Sequence, residues 1–439
     1  MRSGNIAPLS QMAWLDGARA RAWMLVLAAT TWPLAGLWIL LSRHGLDLNG
    51  RPIGTDFIEF WCAARLVLNG AGTAAPYDHR LLAALQTATF SGADVGYTPF
   101  PYPPIFLFVC LPFGALPYTA GLAAWLAATG AAYVAALRHW LDSLPNRSLV
   151  LLVYPGVLVN AACGQNGFLT TALFGAGALL LAKRPLLAGA CLGALVVKPH
   201  LGVLIPVALV AARGWRTIAG AAATVLALVT VSALAFGLEP WRQFLDSMPF
   251  VSAMVTRGAL EPGKVQSAFA AAKVLGADNA AAFGLQAVFS VCAGVSLFLL
   301  GRRTGLSPAL GAALVSATLV TSPYLLSYDL MLAAIPMAWL FAEGRRTGFL
   351  PWEKAALLAG FVLPMVCLAL VSARIPIAPL VLAGLYAAVF RRAWRTSPAD
   401  RRETARGTRV GRGSLDQAVG RQSRSRLSVN NSPPLTASR

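Results

Sequence analysis

Residues 22–41 read AWMLVLAATTWPLAGLWILL, a mostly apolar run without a single charged side chain. A run of this length is what an α-helix needs to cross the hydrocarbon core of a bilayer. Similar apolar runs recur along most of the 439-residue chain, in which 57% of the residues are hydrophobic and 12% are charged. Soluble domains carry about 25% charged residues, so this composition excludes a soluble enzyme. The sequence predicts an all-α integral membrane protein.

The basic residues predict the topology, because short clusters of Lys and Arg mark the cytoplasmic loops of membrane proteins. Residues 1–21, with Arg19 and Arg21, are predicted to be a cytoplasmic N-terminus. Placing the later clusters inside as well gives a membrane domain over residues 22–395 with about twelve transmembrane helices. After 22–41, these are expected at 119–139, 148–162, 166–182, 186–197, 201–212, 217–237, 280–301, 306–322, 328–343, 354–372 and 376–391. The short apolar segment 102–118 contains Pro112 and Pro117, and we expect it to enter the membrane and return.

This topology places two long loops, residues 42–101 and 238–279, on the outer face. Residues 396–439 are rich in Arg, Ser and Gly and are predicted to be a disordered cytoplasmic tail that touches anionic lipids. The net charge of +19 does not indicate nucleic-acid binding, because most cations flank apolar runs or lie in this tail. The Ala- and Arg-rich composition is typical of a bacterium, and therefore of a bacterial plasma (inner) membrane.

Two carboxylates stand out in the first outer loop. Asp56 and Glu59 lie in GTDFIEFW, residues 54–61, ahead of a stretch that we expect to form an amphipathic helix at the membrane interface. Either carboxylate could serve as a catalytic base, since residues three apart share a helix face. Alternatively, Asp56 could simply cap the helix.

A charged interruption separates two short apolar runs at Lys198-Pro199-His200. A lysine at membrane depth costs about 2.5–3.5 kcal/mol unless it meets water, a partner or an anion. A lipid phosphate could supply the counter-charge, with His200 as a second donor, although Lys198 could also reach the headgroups by itself. Asp329 begins a later run and must be paired or functional for the same reason.

Other polar and aromatic residues lie at the outer ends of the predicted spans. Gln165 and Asn166 could hydrogen-bond sugar hydroxyls, although a plain helical hairpin explains this turn equally well. Tyr102 and Tyr324 could stack on sugar rings or form part of an interfacial aromatic belt. Tyr328 precedes Asp329 and joins the same candidate sugar and acceptor site.

The order of these motifs resembles glycosyltransferase family 87, the polyprenyl-phosphate-mannose-dependent α-mannosyltransferase-like membrane proteins. The resemblance covers residues 20–395. Its motifs are GTDF at 54–57, LNG at 68–70, PYD at 76–78, YPP at 102–104, GQN at 164–166, KP at 198–199, SPY at 322–324 and YD at 328–329.

The resemblance implies a GT-C-type fold with its active site on the outer, periplasmic face. It implies that Asp56 acts as general base and that a polyprenyl-phosphate-linked sugar, mannose in the family, is the donor and reacts with inversion. The acceptor would be a glycolipid or glycan, but residues 324–329 lack the His-rich stretch of some members, so its identity does not carry over. Physical reasoning assigns the leaving phosphate to Lys198, His200 and Arg65.

No cofactor or metal is expected, although Asp56 and Glu59 could in principle hold Mg²⁺ or Mn²⁺. Two alternatives to this function stay open. One is another lipid-linked glycosyl transfer, with lipid A or a protein as acceptor, or a polysaccharide ligase. The other is a polytopic transporter or flippase, which the absence of internal repeats disfavours.

Overall fold

The computed structural model describes residues 10–93, 95–142, 144, 146–257 and 263–396, and the regular secondary structure of these residues is helical. The predicted tail, from residue 397 on, lies outside the described residues, as do residues 1–9. The first nine α-helices are α1 (Gly17–Leu40), α2 (Phe57–Leu68), α3 (His79–Thr89), α4 (Leu107–Gly114), α5 (Tyr118–Leu137), α6 (Arg147–Val153), α7 (Pro155–Cys163), α8 (Gly167–Leu180) and α9 (Pro185–Gly193). They are followed by α10 (Ile205–Ala211), α11 (Trp215–Phe236), α12 (Glu239–Thr256), α13 (Ala268–Val274), α14 (Asn279–Thr304), α15 (Pro308–Thr321), α16 (Ala334–Thr347), α17 (Glu353–Ser372) and α18 (Ala378–Arg395).

Among the described residues, five helices are long and apolar enough to cross a membrane: α1, α5, α11, α14 and α17. Several other apolar helices are shorter, and α8 and α15 have 14 residues each. Such a helix rises about 21 Å, less than the hydrocarbon core of about 30 Å. Most of α15 is buried, so neighbouring helices cover it. The chain is thus an all-helical, multi-pass membrane protein, and the prediction of twelve spans remains a prediction.

Proline residues break helices that the sequence predicts to be continuous. The predicted span 148–162 is divided at Tyr154 into α6 and α7, because Pro155 lacks the N–H that a continuing helix requires. Pro199 similarly begins a short 3₁₀ turn after Lys198.

Both ends of the segment 102–118 contact the same part of the protein, and its expected entry into the membrane and return stays a prediction. At its start, the Tyr102 hydroxyl donates to Gln165 Oε1 at 3.2 Å. At its end, the Tyr118 hydroxyl donates to the carbonyl oxygens of Ile53 and Gly54 at 2.8 and 3.1 Å. Gly54 and Gly164 touch each other, so both ends of the segment lie beside one site.

The helix α2 differs from the expected amphipathic interfacial helix, because its aromatic residues are buried. Phe57, Phe60 and Trp61 are 1%, 2% and 8% exposed, and they form a cluster with Tyr102 and Phe106. The short α4 and the start of α5 pack against α2. The carboxylates at the start of α2 therefore lie beside a buried aromatic core.

Candidate active site

Asp56 directly precedes α2, but it does not cap this helix. Its side chain accepts no hydrogen bond from the α2 backbone, so the capping hypothesis is wrong. The backbone N–H of Asp56 donates instead to the carbonyl oxygen of Cys163 at 2.8 Å, which joins the first loop to the end of α7. The Asp56 carboxylate is thereby left to interact with other side chains.

Two glycines allow this junction to close. Gly54 and Gly164 have φ values of +71° and +68°. A Cβ atom on Gly164 would lie 2.7 Å from Phe57 Cβ and 3.1 Å from Gly54 Cα. The tight turn at residues 164–166 can therefore contact the start of α2 only because residue 164 has no side chain.

We expect Gly164→Ala to lower the free energy of unfolding by about 1–3 kcal/mol, because it combines a left-handed backbone with a clash. Thermal unfolding of the protein in detergent measures this effect. Gly284→Ala is the matched control, since Gly284 lies within α14 and a Cβ there meets nothing within 4 Å. Equal unfolding temperatures for both variants would contradict the proposed close contact.

Glu59 is held by the glutamine of the predicted Gly-Gln-Asn turn. The Nε2 atom of Gln165 donates to Glu59 Oε1 at 2.9 Å. The Oε1 atom of Gln165 accepts from the Tyr102 hydroxyl and, at 2.8 Å, from the Asn166 N–H. Because both ends of the amide are used, its orientation is fixed and so is the position of the Glu59 carboxylate.

Asp56 and Glu59 are only 6% and 2% exposed, yet their electrostatic surroundings differ. Burial raises the pKa of Glu59 well above its usual value, and the nearby negative charge of Asp56 raises it further. Burial also raises the pKa of Asp56, but the Lys264 ammonium opposes this increase. Of the two, Asp56 is the carboxyl group whose ionised form has a direct cationic partner, and Glu59 more readily retains a proton.

Lys264 is a site residue that the sequence analysis missed. Its Nζ atom lies 3.7 Å from Asp56 Oδ1, and its side chain is 31% exposed. The Ser327 N–H donates to the Lys264 carbonyl at 2.8 Å, and the Gln266 N–H donates to the Leu325 carbonyl at 2.7 Å. This pairing between distant segments positions the lysine, and no local sequence pattern distinguishes it from other loop lysines.

Lys198 and Asp329 form a buried ion pair. The Lys198 Nζ atom lies 2.6 Å from Asp329 Oδ1, while Asp329 Oδ2 accepts from the Leu326 N–H at 3.1 Å. Lys198 also donates to Asn166 Oδ1 at 3.3 Å and lies 4.6 Å from the centre of the Tyr328 ring. Asp329 thus supplies a counter-charge for Lys198 within the protein, and each residue explains the burial of the other.

Several buried polar atoms in this region have no hydrogen-bond partner among the described residues. They include Asn166 Nδ2, His200 Nε2 and Ser322 Oγ. Buried polar atoms in folded proteins are almost always hydrogen-bonded, so unpaired ones beside charged side chains are typical of a ligand site.

Two predicted site residues lie apart from this cluster. The Arg65 guanidinium lies 5.1 Å from the centre of the Trp61 ring. Arg65 follows Asp56 by nine residues, and each residue of a helix turns the chain by about 100°. Arg65 therefore lies on the opposite face of α2 from Asp56, which explains this separation. The Tyr324 hydroxyl lies 3.2 Å from Ser252 Oγ, on the second outer loop.

The site thus joins eight predicted residues to Lys264: Asp56, Glu59, Tyr102, Gln165, Asn166, Lys198, Tyr328 and Asp329. Within the described ranges, no three His, Cys, Asp or Glu side chains form a group suited to a metal ion. The expectation that no metal is required stays a prediction.

A family comparison agrees with the resemblance seen in the sequence. The model of glycosyltransferase family 87 matches residues 100–323, which is just over half of the chain. The chain belongs to glycosyltransferase family 87. No curated protein and no solved structure gives a significant match.

Membership of glycosyltransferase family 87 shows that the chain is a membrane glycosyltransferase. The matched residues include Tyr102, Gln165, Asn166 and Lys198, but they end before Asp329 and begin after Asp56. The family match therefore supports the glycosyltransferase activity without testing the role of either aspartate.

Proposed function

We propose that this glycosyltransferase moves a sugar, mannose by family resemblance, from a polyprenyl-phosphate donor to an acceptor hydroxyl, with inversion. The observation that carries the proposal is the pair of buried carboxyl groups with different surroundings. Asp56 has the Lys264 ammonium beside it, whereas Glu59 lies deeper and is hydrogen-bonded by Gln165. One ionised and one protonated carboxyl group in one site is an arrangement suited to proton transfer.

In the proposed step, the acceptor oxygen attacks the anomeric carbon while Asp56 takes the hydroxyl proton. The bond between the anomeric carbon and the phosphate oxygen breaks, and the lipid phosphate leaves with the electron pair. The leaving phosphate gains one negative charge and needs no proton. A positioned carboxylate base contributes about 10²–10⁴-fold to such a reaction.

Lys264 and the unpaired donors are proposed to stabilise the phosphate. Lys264 is partly exposed and close to Asp56, so its ammonium can be shared between the base and the donor. Asn166 Nδ2 and His200 Nε2 are the buried atoms that could donate to phosphate or sugar oxygens. Because Asp329 neutralises Lys198, we propose that Lys198 acts on the donor mainly by orienting Asn166.

The finer architecture is also part of the proposal. A GT-C-type fold with about twelve spans would place both termini in the cytoplasm and the site at the periplasmic face of a bacterial inner membrane. Both ends of segment 102–118 contact the same region, which supports a topology in which this segment does not cross the membrane. Family membership favours glycosyl transfer over the transporter alternative. Transfer to lipid A or to a protein uses the same chemistry, and identifying the acceptor distinguishes these reactions from the proposed one.

The donor can be identified directly with the purified protein in nanodiscs. We expect polyprenyl-phosphate-[¹⁴C]mannose, supplied with a membrane lipid extract of the host, to yield labelled glycolipid or glycan. Polyprenyl-phosphate-[¹⁴C]glucose and GDP-[¹⁴C]mannose serve as donor controls. Label transferred from the nucleotide sugar alone would overturn the proposed donor class.

The pH dependence should report the proposed base. Asp56 must be ionised, so kcat/KM should fall on the acid side, with a midpoint above the usual carboxyl pKa of about 3.9. Lys264 lowers the pKa of Asp56, so Lys264→Gln should move this acid limb to higher pH. Lys264→Arg keeps the charge and should leave the limb near its wild-type position. An acid limb at the same pH in Lys264→Gln as in the wild type would contradict the assignment of Asp56 as the base.

A further inference from the structure

A cavity lies where the two outer loops meet. It has a volume of about 230 Å³, and α12 of the second loop lines it together with six residues of the first: Pro76, Tyr77, His79, Tyr97, Pro99 and Phe100. Its lining includes Pro76 and Tyr77 of the PYD motif and the α12 residues within the family match, but neither the motif nor the match gives the cavity a role.

Aromatic rings form two walls of this cavity. The Tyr97 and Phe250 rings lie 6.4 Å apart at an angle of 52°, and the Tyr77 and Phe100 rings lie 5.7 Å apart at 58°. Phe250 is 52% exposed, so its ring is accessible to a ligand at the cavity. Inclined rings at an open cavity offer apolar faces to a flat molecule that carries C–H groups on its own faces, as a sugar ring does.

Polar side chains complete the lining, and they suit a neutral ligand. His79, Gln243 and Ser247 offer neutral donors and acceptors, and Asp246 is the one charged side chain among the described lining residues. The Nε2 atom of Gln243 donates to Glu239 Oε1 at 2.9 Å, which orients its amide. An acidic cavity repels phosphate, whereas carboxylate and amide oxygens accept hydrogen bonds from hydroxyl groups.

The cavity adjoins the candidate active site through its tyrosines. The Tyr77 hydroxyl donates to the Tyr102 carbonyl at 2.8 Å, and Tyr102 in turn donates to Gln165, the partner of Glu59. Tyr97 lies within electrostatic reach of the same carboxylate, since burial and then the charge of Glu59 raise its pKa to about 12. Hydrogen bonds through Tyr102 and Gln165 therefore connect the wall of this cavity to Glu59.

We propose that this cavity binds a sugar ring of the acceptor, the glycolipid or glycan that the family resemblance implies. The proposal rests on the proposed function. A volume of about 230 Å³ lies below the roughly 300 Å³ of the smallest pockets for drug-sized ligands, which suits a single ring. The sugar held here would present the next hydroxyl group of the chain to Asp56.

Sugar binding can be measured without catalysis, by saturation-transfer NMR on the protein in nanodiscs. The probes are the methyl glycosides of mannose, glucose, galactose and N-acetylglucosamine. We expect at least one probe to bind, and Asp246→Asn to weaken its binding by about ten- to a hundredfold, as expected when hydrogen bonds to a charged group are lost. The matched control is Arg242→Gln, a change of one charge at an exposed position of α12 outside the lining.

The outcomes separate this proposal from the proposed function. Wild-type binding of no probe, or equal binding by the Asp246→Asn and Arg242→Gln variants, would overturn the sugar site. Binding that depends on Asp246, in a protein that transfers no sugar from a polyprenyl-phosphate donor, would overturn the function and keep the site. In a transferring enzyme, a raised KM for the glycolipid acceptor in Asp246→Asn, with an unchanged KM for the donor, supports both.

Discussion

Asp56→Asn is expected to lower the rate of sugar transfer by about 10²–10⁴-fold, the contribution of a positioned general base. Asparagine has nearly the same shape as aspartate and can still contact Thr55, whose hydroxyl lies 3.3 Å from Asp56 Oδ1. Its amide cannot accept the proton of the acceptor hydroxyl. The variant should therefore fold and bind donor but fail to transfer, as measured with a labelled polyprenyl-phosphate sugar.

Asp278→Asn provides the matched control for this variant. Asp278 lies outside the site and caps α14, accepting from the N–H group of Ala281 at 2.7 Å. Asparagine caps helices about as well as aspartate, so transfer should remain near the wild-type rate. Wild-type transfer by Asp56→Asn would exclude Asp56 as the base and direct attention to Glu59, where Glu59→Gln would be the next variant.

Asp329→Asn is expected to destabilise the protein by about 3–5 kcal/mol, because it leaves the Lys198 ammonium buried without its counter-charge. The two side chains are 0% and 4% exposed, so water cannot replace the missing partner. Thermal unfolding in detergent, followed by the fraction of monodisperse protein left after heating, measures the loss. The exposed ion pair of Asp142 and Arg147 is the control, since Asp142→Asn should cost about 0–1 kcal/mol.

A double variant separates structure from donor binding. Lys198→Met with Asp329→Leu removes both charges and should restore much of the stability that either single change loses. If this double variant folds and keeps the wild-type KM for the donor, Lys198 does not contact the phosphate. An Asp329→Asn protein as stable as the wild type would show instead that the ion pair contributes little to the fold.

Much of the helical framework could be predicted because long apolar runs constrain a membrane chain strongly. The predicted span 280–301 corresponds to α14 (Asn279–Thr304), and 354–372 corresponds to α17 (Glu353–Ser372). The cost of burying a charge also identified Lys198 and Asp329 separately as residues that need partners. Because 131 positions separate them, only the fold could show that they are each other's partners.

The remaining features depend on contacts between distant segments. Lys264 reaches Asp56 only because residues 264–266 pair with residues 325–327. The aromatic residues of α2 are typical of an interfacial helix by composition, but the covering segment 102–118 turns them into a core. The cavity at Tyr97 and Asp246 requires both outer loops at once. The hydrophobic periodicity and the charge pattern of one stretch do not show which distant segments it contacts.

The ion pair between Lys198 and Asp329 also has a consequence for the order of biosynthesis. The ribosome makes Lys198 well before Asp329, so the nascent chain must hold an unneutralised lysine while the intervening helices are inserted. Until residue 329 emerges, Lys198 has to remain near water or headgroups, and the segment around it cannot settle at its final depth. A chain that stops short of Asp329 would keep this exposed polar defect, which membrane quality control could recognise.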